Sequence, residues 1–229
     1  MTTMYKPWRD HRLASNGKLV SENFQEWMGR SRVSQRVYHA STSIFDAFDT
    51  TKGDLGAHFG NLAQMSYLQS RLGMSDAPMH VMPVWLRISN PLRLKDTGSF
   101  HADGVALQLE RKGLLAKGEG KAIEQLCDKD WRSRRIHDPQ LKAVIQKAGF
   151  DGVVYSNVHE GSGDSWIALD ARQVKSAIGN TGLYLLDGGS LTDFQADLEL
   201  RLSIQAKAKV HSASKTIQGG LGVTQRRSA

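Results

Sequence analysis

Short β-rich runs and helical periodicities are interspersed along this chain without a βαβ rhythm, and that ordering most narrows what it can fold into. The expectation is an α+β fold rather than a doubly wound parallel sheet. The spacing predicts a helix over 21–28, with Ser21 as N-cap, Phe24, Trp27 and Met28 on one face, and Gly29 at its end. A strand with Val33, Val37 and Tyr38 follows and stops at His39. A second helix, 61–72, places Leu62, Met65, Leu68 and Leu72 at three-to-four spacing, with Gly73 as its C′ residue. Residues 80–88 read as a strand ending in the turn Ser89-Asn90-Pro91, and Met79, Met82, Trp85 and Leu86 are assigned to the core. Helical patterns recur at 102–116, 121–131 and 139–148. Strands return at 153–155, 166–169 and 174–177, and a last helix covers 191–208.

Several classes are excluded by what is missing. No G-x-G-x-x-G follows a strand, and no Walker lysine motif, H-E-x-x-H or G-x-S-x-G occurs. With 40% apolar and 23% charged residues in 229, wholesale disorder is excluded. No apolar run approaches the ~18 residues of a membrane span, and no secretory signal is legible at the start. The single cysteine, Cys127, fits a reducing, cytoplasm-like compartment and leaves no multi-cysteine metal site, so no metal is expected. The net charge of +7 sits at the ends: residues 1–20 carry +3, residues 201–229 carry +6, and the stretch between carries −2. A nearly neutral middle favours protein over nucleic acid as a partner, and the basic end reads as a solvated tail or an arm for a partner or polyanion. The one basic cluster inside the middle, Lys129 to Arg135, is either a solvated helix end or a contact for phosphates or an acidic target.

Chemistry concentrates in three segments where polar residues interrupt or end apolar strands. Val37 to Thr42 ends a strand in His39, Ala40, Ser41 and Thr42. Gly53 to Leu68 sets His58 and Phe59 among Gly53, Gly56 and Gly60, where backbone can approach a ligand closely. Gly149 to Ala177 flanks a loop holding His159, Glu160, Ser162, Asp164 and Ser165 with two strands. Each alone is also compatible with a structural role.

Taken in order, these segments resemble the ADP-ribosyltransferase superfamily, in particular its bacterial and phage branch found in polyvalent and mobile-element proteins. The matching stretches are Phe24-Gln25-Glu26-Trp27-Met28-Gly29, Tyr38-His39-Ala40-Ser41, Phe45-Asp46-Ala47-Phe48-Asp49 and Gly56-Ala57-His58-Phe59-Gly60. Pro83 to Leu94, Gly149 to Tyr155, Asp164 to Ile167 and Gln173 to Ala177 continue the match. The resemblance implies a split β-sheet core with flanking helices. It divides the chain into a lead-in (1–22), an ADP-ribosyltransferase-like domain (23–182), a helical extension (183–209) and a flexible basic tail (210–229).

The resemblance also implies NAD as co-substrate. His39 is expected to hydrogen-bond a ribose hydroxyl, Ala40 backbone to hold the nicotinamide amide, and Ser41 or Thr42 to meet the adenosine-side ribose. His58, Phe59 and Tyr67 are expected to form the nicotinamide pocket. Many relatives carry Glu immediately before the strand where this chain has Ser165, so Asp164 is the first expectation for the catalytic carboxylate and Glu160 the second. The implied activity is mono-ADP-ribosyl transfer to a macromolecule, protein favoured, by an effector or toxin inside a bacterial cell, phage delivery included. The rival readings are a degenerate NAD-binding or non-enzymatic component of a virion or complex, and an NAD glycohydrolase or RNA-modifying variant.

Overall fold

The computed structural model describes residues 10–52, 54–72 and 79–221. Chain order is α1 (Val20–Met28), β1 (Val37–Ser41), β2 (Ala57–Phe59), α2 (Leu62–Leu72), β3 (His80–Leu86), β4 (Pro91–Lys95), α3 (Ala102–Arg111), α4 (Glu119–Lys129) and α5 (Arg134–Lys147). Then come β5 (Gly152–Ser156), β6 (Asp164–Ala168), β7 (Val174–Ser176) and α6 (Phe194–Leu221). The strands form two sheets. One is antiparallel, ordered β1-β3-β7; the other is ordered β2-β6-β5-β4, with β4 and β5 parallel and the remaining pairs antiparallel.

Three apolar layers hold these elements. Helices α3, α4 and α5 cover one face of the larger sheet, where Leu92, Leu94, Val153 and Ile167 meet Val105, Leu109, Leu141 and Ile145. Between the sheets lie Val37, Ala57, Phe59, Val84, Leu86, Ile88, Ala168 and Val174. Beyond the smaller sheet, α1 packs Phe24 and Trp27 against Trp85 and Tyr184. The fold is α+β, as the ordering of elements required.

The two sheets touch edge to edge at one bridge. Tyr38 N–H donates to the Gly60 carbonyl at 2.8 Å, and Gly60 N–H donates back at 3.0 Å. Past this bridge β1 and β2 belong to different sheets, so a cleft opens at the ends carrying His39, Ala40 and Gly60. Gly56 makes the β2–β6 approach possible, because a Cβ there would overlap the Ala168 carbonyl.

Several sequence expectations need correction. Leu19, not Ser21, is the N-cap of α1. The Glu22 carboxylate accepts its N–H at 2.9 Å, and Ser21 lies buried inside the helix. Strand β1 does not stop at His39 but pairs on to Ser41 opposite His80. The stretch around His58, legible only as a glycine-rich turn, is a strand of three residues paired with β6. Leu62 points outward at 54% exposure, whereas Met65 is buried. Helix α5 begins five residues before Pro139; the proline leaves only the Arg135 carbonyl without its helical donor, and both residues are exposed near the helix start. Helix α6 runs to Leu221 instead of Ala208, so residues 210–221 are helical, consistent with a run of Ala, Lys, Gln and Ser lacking proline. Gly53, Gly73 and residues 222–229 of the tail lie outside the described residues. Among the described residues, no helix is long and apolar enough to cross a membrane.

Candidate active site

The cleft beside the Tyr38–Gly60 bridge holds a cavity of about 230 Å³ lined by His39, Ala40, Asp54, His58, Phe59, Gly60, Met65, Leu68, Tyr155, Glu160 and Ser165. A second hollow of about 260 Å³ adjoins it, sharing Asp54, His58, Tyr155 and Glu160. Larger surface hollows exist elsewhere, one bordered by Arg93, Lys95 and Arg111, but they do not contain His39.

His39 sits on β1 at the split. Its Nδ1 lies 2.8 Å from the His58 carbonyl oxygen, which can only accept, so Nδ1 carries the proton and Nε2 is left as an acceptor. Phe48, Phe59 and Phe45 surround the ring at centroid distances of 4.9, 5.6 and 6.1 Å. Burial among them pushes the imidazole below its ordinary value, outweighing the hydrogen bond to the His58 carbonyl. His39 is therefore a neutral, oriented hydrogen-bond acceptor.

His58 faces the opposite way from β2. Its Nε2 meets Asp54 Oδ1 at 2.8 Å and its Nδ1 lies 3.4 Å from the Tyr155 hydroxyl. Burial raises the Asp54 carboxyl, but the hydrogen bond and charge of His58, with His101 behind, bring it below the usual carboxylate value. Desolvation drives the Tyr155 hydroxyl well above its ordinary range, which keeps it a neutral donor.

Ser165 is buried on β6. Its hydroxyl donates to Gln64 Oε1 at 3.2 Å and accepts from Asn157 Nδ2 at 3.0 Å. Asn157 also donates to Glu160 Oε2 at 2.9 Å, and its own Oδ1 accepts the Glu160 N–H at 2.8 Å. The loop is closed by Asn157 N–H to the Gly163 carbonyl at 2.9 Å and pinned to α2 by Asn61 Nδ2 on the Ser162 carbonyl at 2.8 Å. Asn61 and Gln64 cap α2 reciprocally, at 2.8 and 3.0 Å. The Glu160 carboxylate is thus fastened through one asparagine beside Ser165.

The placement of the sequence-derived candidates divides accordingly. His39, Ala40, His58, Phe59, Glu160 and Ser165 line one cavity. Asp164 does not. Strand alternation turns it to the other face, where Arg93 grips it with two bonds of 3.1 and 2.7 Å and Ser156 adds a third at 3.1 Å. The Arg93 guanidinium holds that carboxyl below its usual value, and the side chain is 37% exposed. Tyr67 is also outside: Met65 and Leu68 share the inner face of α2, and Tyr67, between them in sequence, is 42% exposed. Ser41 and Thr42 do not line the cavity, and the Ser41 hydroxyl accepts the Ser43 N–H at 3.0 Å. Sequence reasoning missed Asp54, Gln64, Asn157 and Tyr155. Asp54 stands four residues before His58, a spacing that signals contact only on a helix, and this segment is not helical. No group of three metal-ligating side chains occurs among the described residues.

No curated protein and no solved structure matches the chain. A family model does, over residues 34–184, and it spans both sheets, the split between them and every cavity-lining residue named above. With the imidazole of β1, the glycine-flanked β2 and the β5–β6 loop all inside that match, the chain belongs to the family of ADP-ribosyltransferases in polyvalent proteins.

Proposed function

We propose that the protein cleaves NAD between nicotinamide and ribose and transfers the ADP-ribosyl group to a protein acceptor, with Glu160 as the catalytic carboxylate. The observation carrying this reading is the charge of the cavity: among the described residues its lining includes two carboxylates, Asp54 and Glu160, and neither Lys nor Arg. Such a lining suits a cationic ring and a developing oxocarbenium centre.

NAD supplies a nicotinamide leaving group that departs with the bonding electron pair and becomes neutral. His39 Nε2 accepts a hydrogen bond from a ribose hydroxyl, and its fixed tautomer keeps that role constant. Phe59 and Met65 exclude water from one wall. Glu160 places negative charge near the ribosyl centre and takes the proton that the acceptor loses when it bonds to that carbon. Asn157 positions Glu160, and the Ser165 hydroxyl holds Asn157. Asp54 acts through His58, whose ring it orients.

The test is incubation of the full chain with adenylate-labelled NAD and a bacterial lysate. Label moves to protein with wild type and not with His39→Ala. Nicotinamide release without labelling would instead identify a glycohydrolase; neither release nor labelling would end the enzymatic reading. An effector role inside a bacterial cell, in a phage setting, belongs to the same proposal and rests on the family alone.

A further inference from the structure

The basic cluster that catalysis leaves unused lines a cavity of its own. A hollow of about 550 Å³ lies between the loop before β2 and the start of α5, bordered among others by Asp54, Trp131, Arg134, Arg135, Asp138 and Lys142. It shares Asp54 with the NAD cavity, so the two adjoin. Three features make it unusual as a mere surface dent.

Trp131 is 57% exposed at its rim, in a single 3₁₀ turn, Trp131–Ser133, that leads into α5. Two guanidinium groups lie over its ring, Arg132 at 5.7 Å and Arg135 at 5.9 Å. An indole left open and bordered by arginines is poorly explained by folding energetics, which favour burying it. The cations around the hollow are incompletely used. Arg134 bonds Asp103 through Nη2 at 2.6 Å, while its buried Nε has no partner. Arg135 makes no ion pair among the described residues. Lys142 donates to the Thr50 carbonyl at 2.7 Å and the Thr50 hydroxyl at 3.1 Å, which leaves its third proton free. Burial holds the Lys142 ammonium below its usual value, a cost that a bound anion would offset. The two acids on the wall are already engaged, Asp138 by His101 at 2.7 Å and Asp54 by His58 at 2.8 Å.

An open indole beside unsatisfied guanidinium and ammonium donors recognises an aromatic base joined to a phosphate. We infer that this hollow is a second ligand site, taking a nucleoside 5′-phosphate with its base on Trp131 and its phosphate on Arg134, Arg135 and Lys142. Two sources share that chemistry: the adenylate half of NAD, reaching past Asp54, and a separate nucleotide.

The experiment titrates AMP into the full-length chain by calorimetry, with and without saturating NAD. AMP binds, and Trp131→Ala weakens it roughly tenfold or more. Arg135→Gln weakens it too and lowers the salt dependence of binding. Both side chains are exposed, so neither change threatens the fold. If NAD displaces AMP, the site holds the substrate's own adenylate; if AMP binds undiminished beside NAD, it holds a separate nucleotide. The proposal is overturned if AMP fails to bind at millimolar concentration, if Trp131→Ala leaves its affinity unchanged, or if inorganic phosphate binds as tightly as AMP. Transfer of label from NAD is not read, so failure of the enzymatic reading leaves this result intact.

Discussion

Glu160 and Asp164 are four residues apart and meet opposite fates, which makes them the sharpest test of the site. Glu160→Gln keeps the Asn157 contact through its amide oxygen and removes the charge, so it should reduce NAD turnover by roughly 10²–10⁴ with an unchanged melting temperature. Asp164→Asn should leave turnover nearly unaltered, since it only loosens an exposed pair with Arg93 worth about 0–1 kcal/mol. Initial rates of nicotinamide release measured side by side decide it. His39 provides a second residue-scale prediction. Its folded pKa lies below the ordinary imidazole value, so the unfolded chain binds the proton more readily and stability rises with pH across that interval. Stability is therefore fully present above about pH 6.5 and is lost as pH falls below it. His39→Gln should flatten that part of a denaturant-midpoint series between pH 7 and 5.

Strand β2 shows what three residues can do when a sheet recruits them. Alone, Ala57 to Phe59 is too short to hold a conformation; paired with Trp166 to Ala168, it aims His58 toward Asp54 and Tyr155 and sends Phe59 toward His39. The alternation that does this is the ordinary period of a strand. Gly56 permits the approach, and Gly56→Ala would force a methyl into the Ala168 backbone. That substitution should part β2 from β6, which hydrogen exchange would report as lost protection at Ala57 to Phe59 while α3 to α5 stay protected. Uniform protection in the variant would show that the strand tolerates the shift. The asparagine-led loop between β5 and β6 is a comparable device, since Asn157 reaches Ser165 and Glu160 at once.

Across the whole molecule, the wall around His39 depends on a pair buried far from it in sequence. Lys175 and Asp193 are 0% and 1% exposed and 2.6 Å apart, and Lys175 also donates to the Gly188 and Ser190 carbonyls at 3.0 and 2.8 Å. The loop so fixed clamps Asp46 through Ser190 and Thr192 at 2.5 and 2.7 Å, and Asp46 adjoins Phe45, which with Phe48 packs on His39. Lys175→Met strands a buried carboxylate and should cost about 3–5 kcal/mol. A chain of this size then melts roughly 10 °C lower, with weaker NAD binding as the aromatic wall loosens. Adding Asp193→Leu should recover much of the melting temperature; a single variant that melts like wild type would refute the link.

Most of this architecture was legible in the chain, because apolar spacing dictates which face of an element is buried. Helices α1, α2 and α4 and strands β1, β3, β5, β6 and β7 were legible within a few residues, α3 and α5 with one end displaced by about a turn and a half, and the motifs around His39, His58 and Glu160 marked three edges of the cleft. What sequence could not assign were positions defined by a partner distant along the chain. Strand β2 exists through its pairing with β6, Asp54 meets the cavity beside His58, and Asp164 is held outside it by Arg93, seventy-one residues earlier. Local periodicity records how a segment folds onto its neighbours, whereas which carboxylate of one loop faces the cavity belongs to whichever sheet face each side chain finds once the strands have paired.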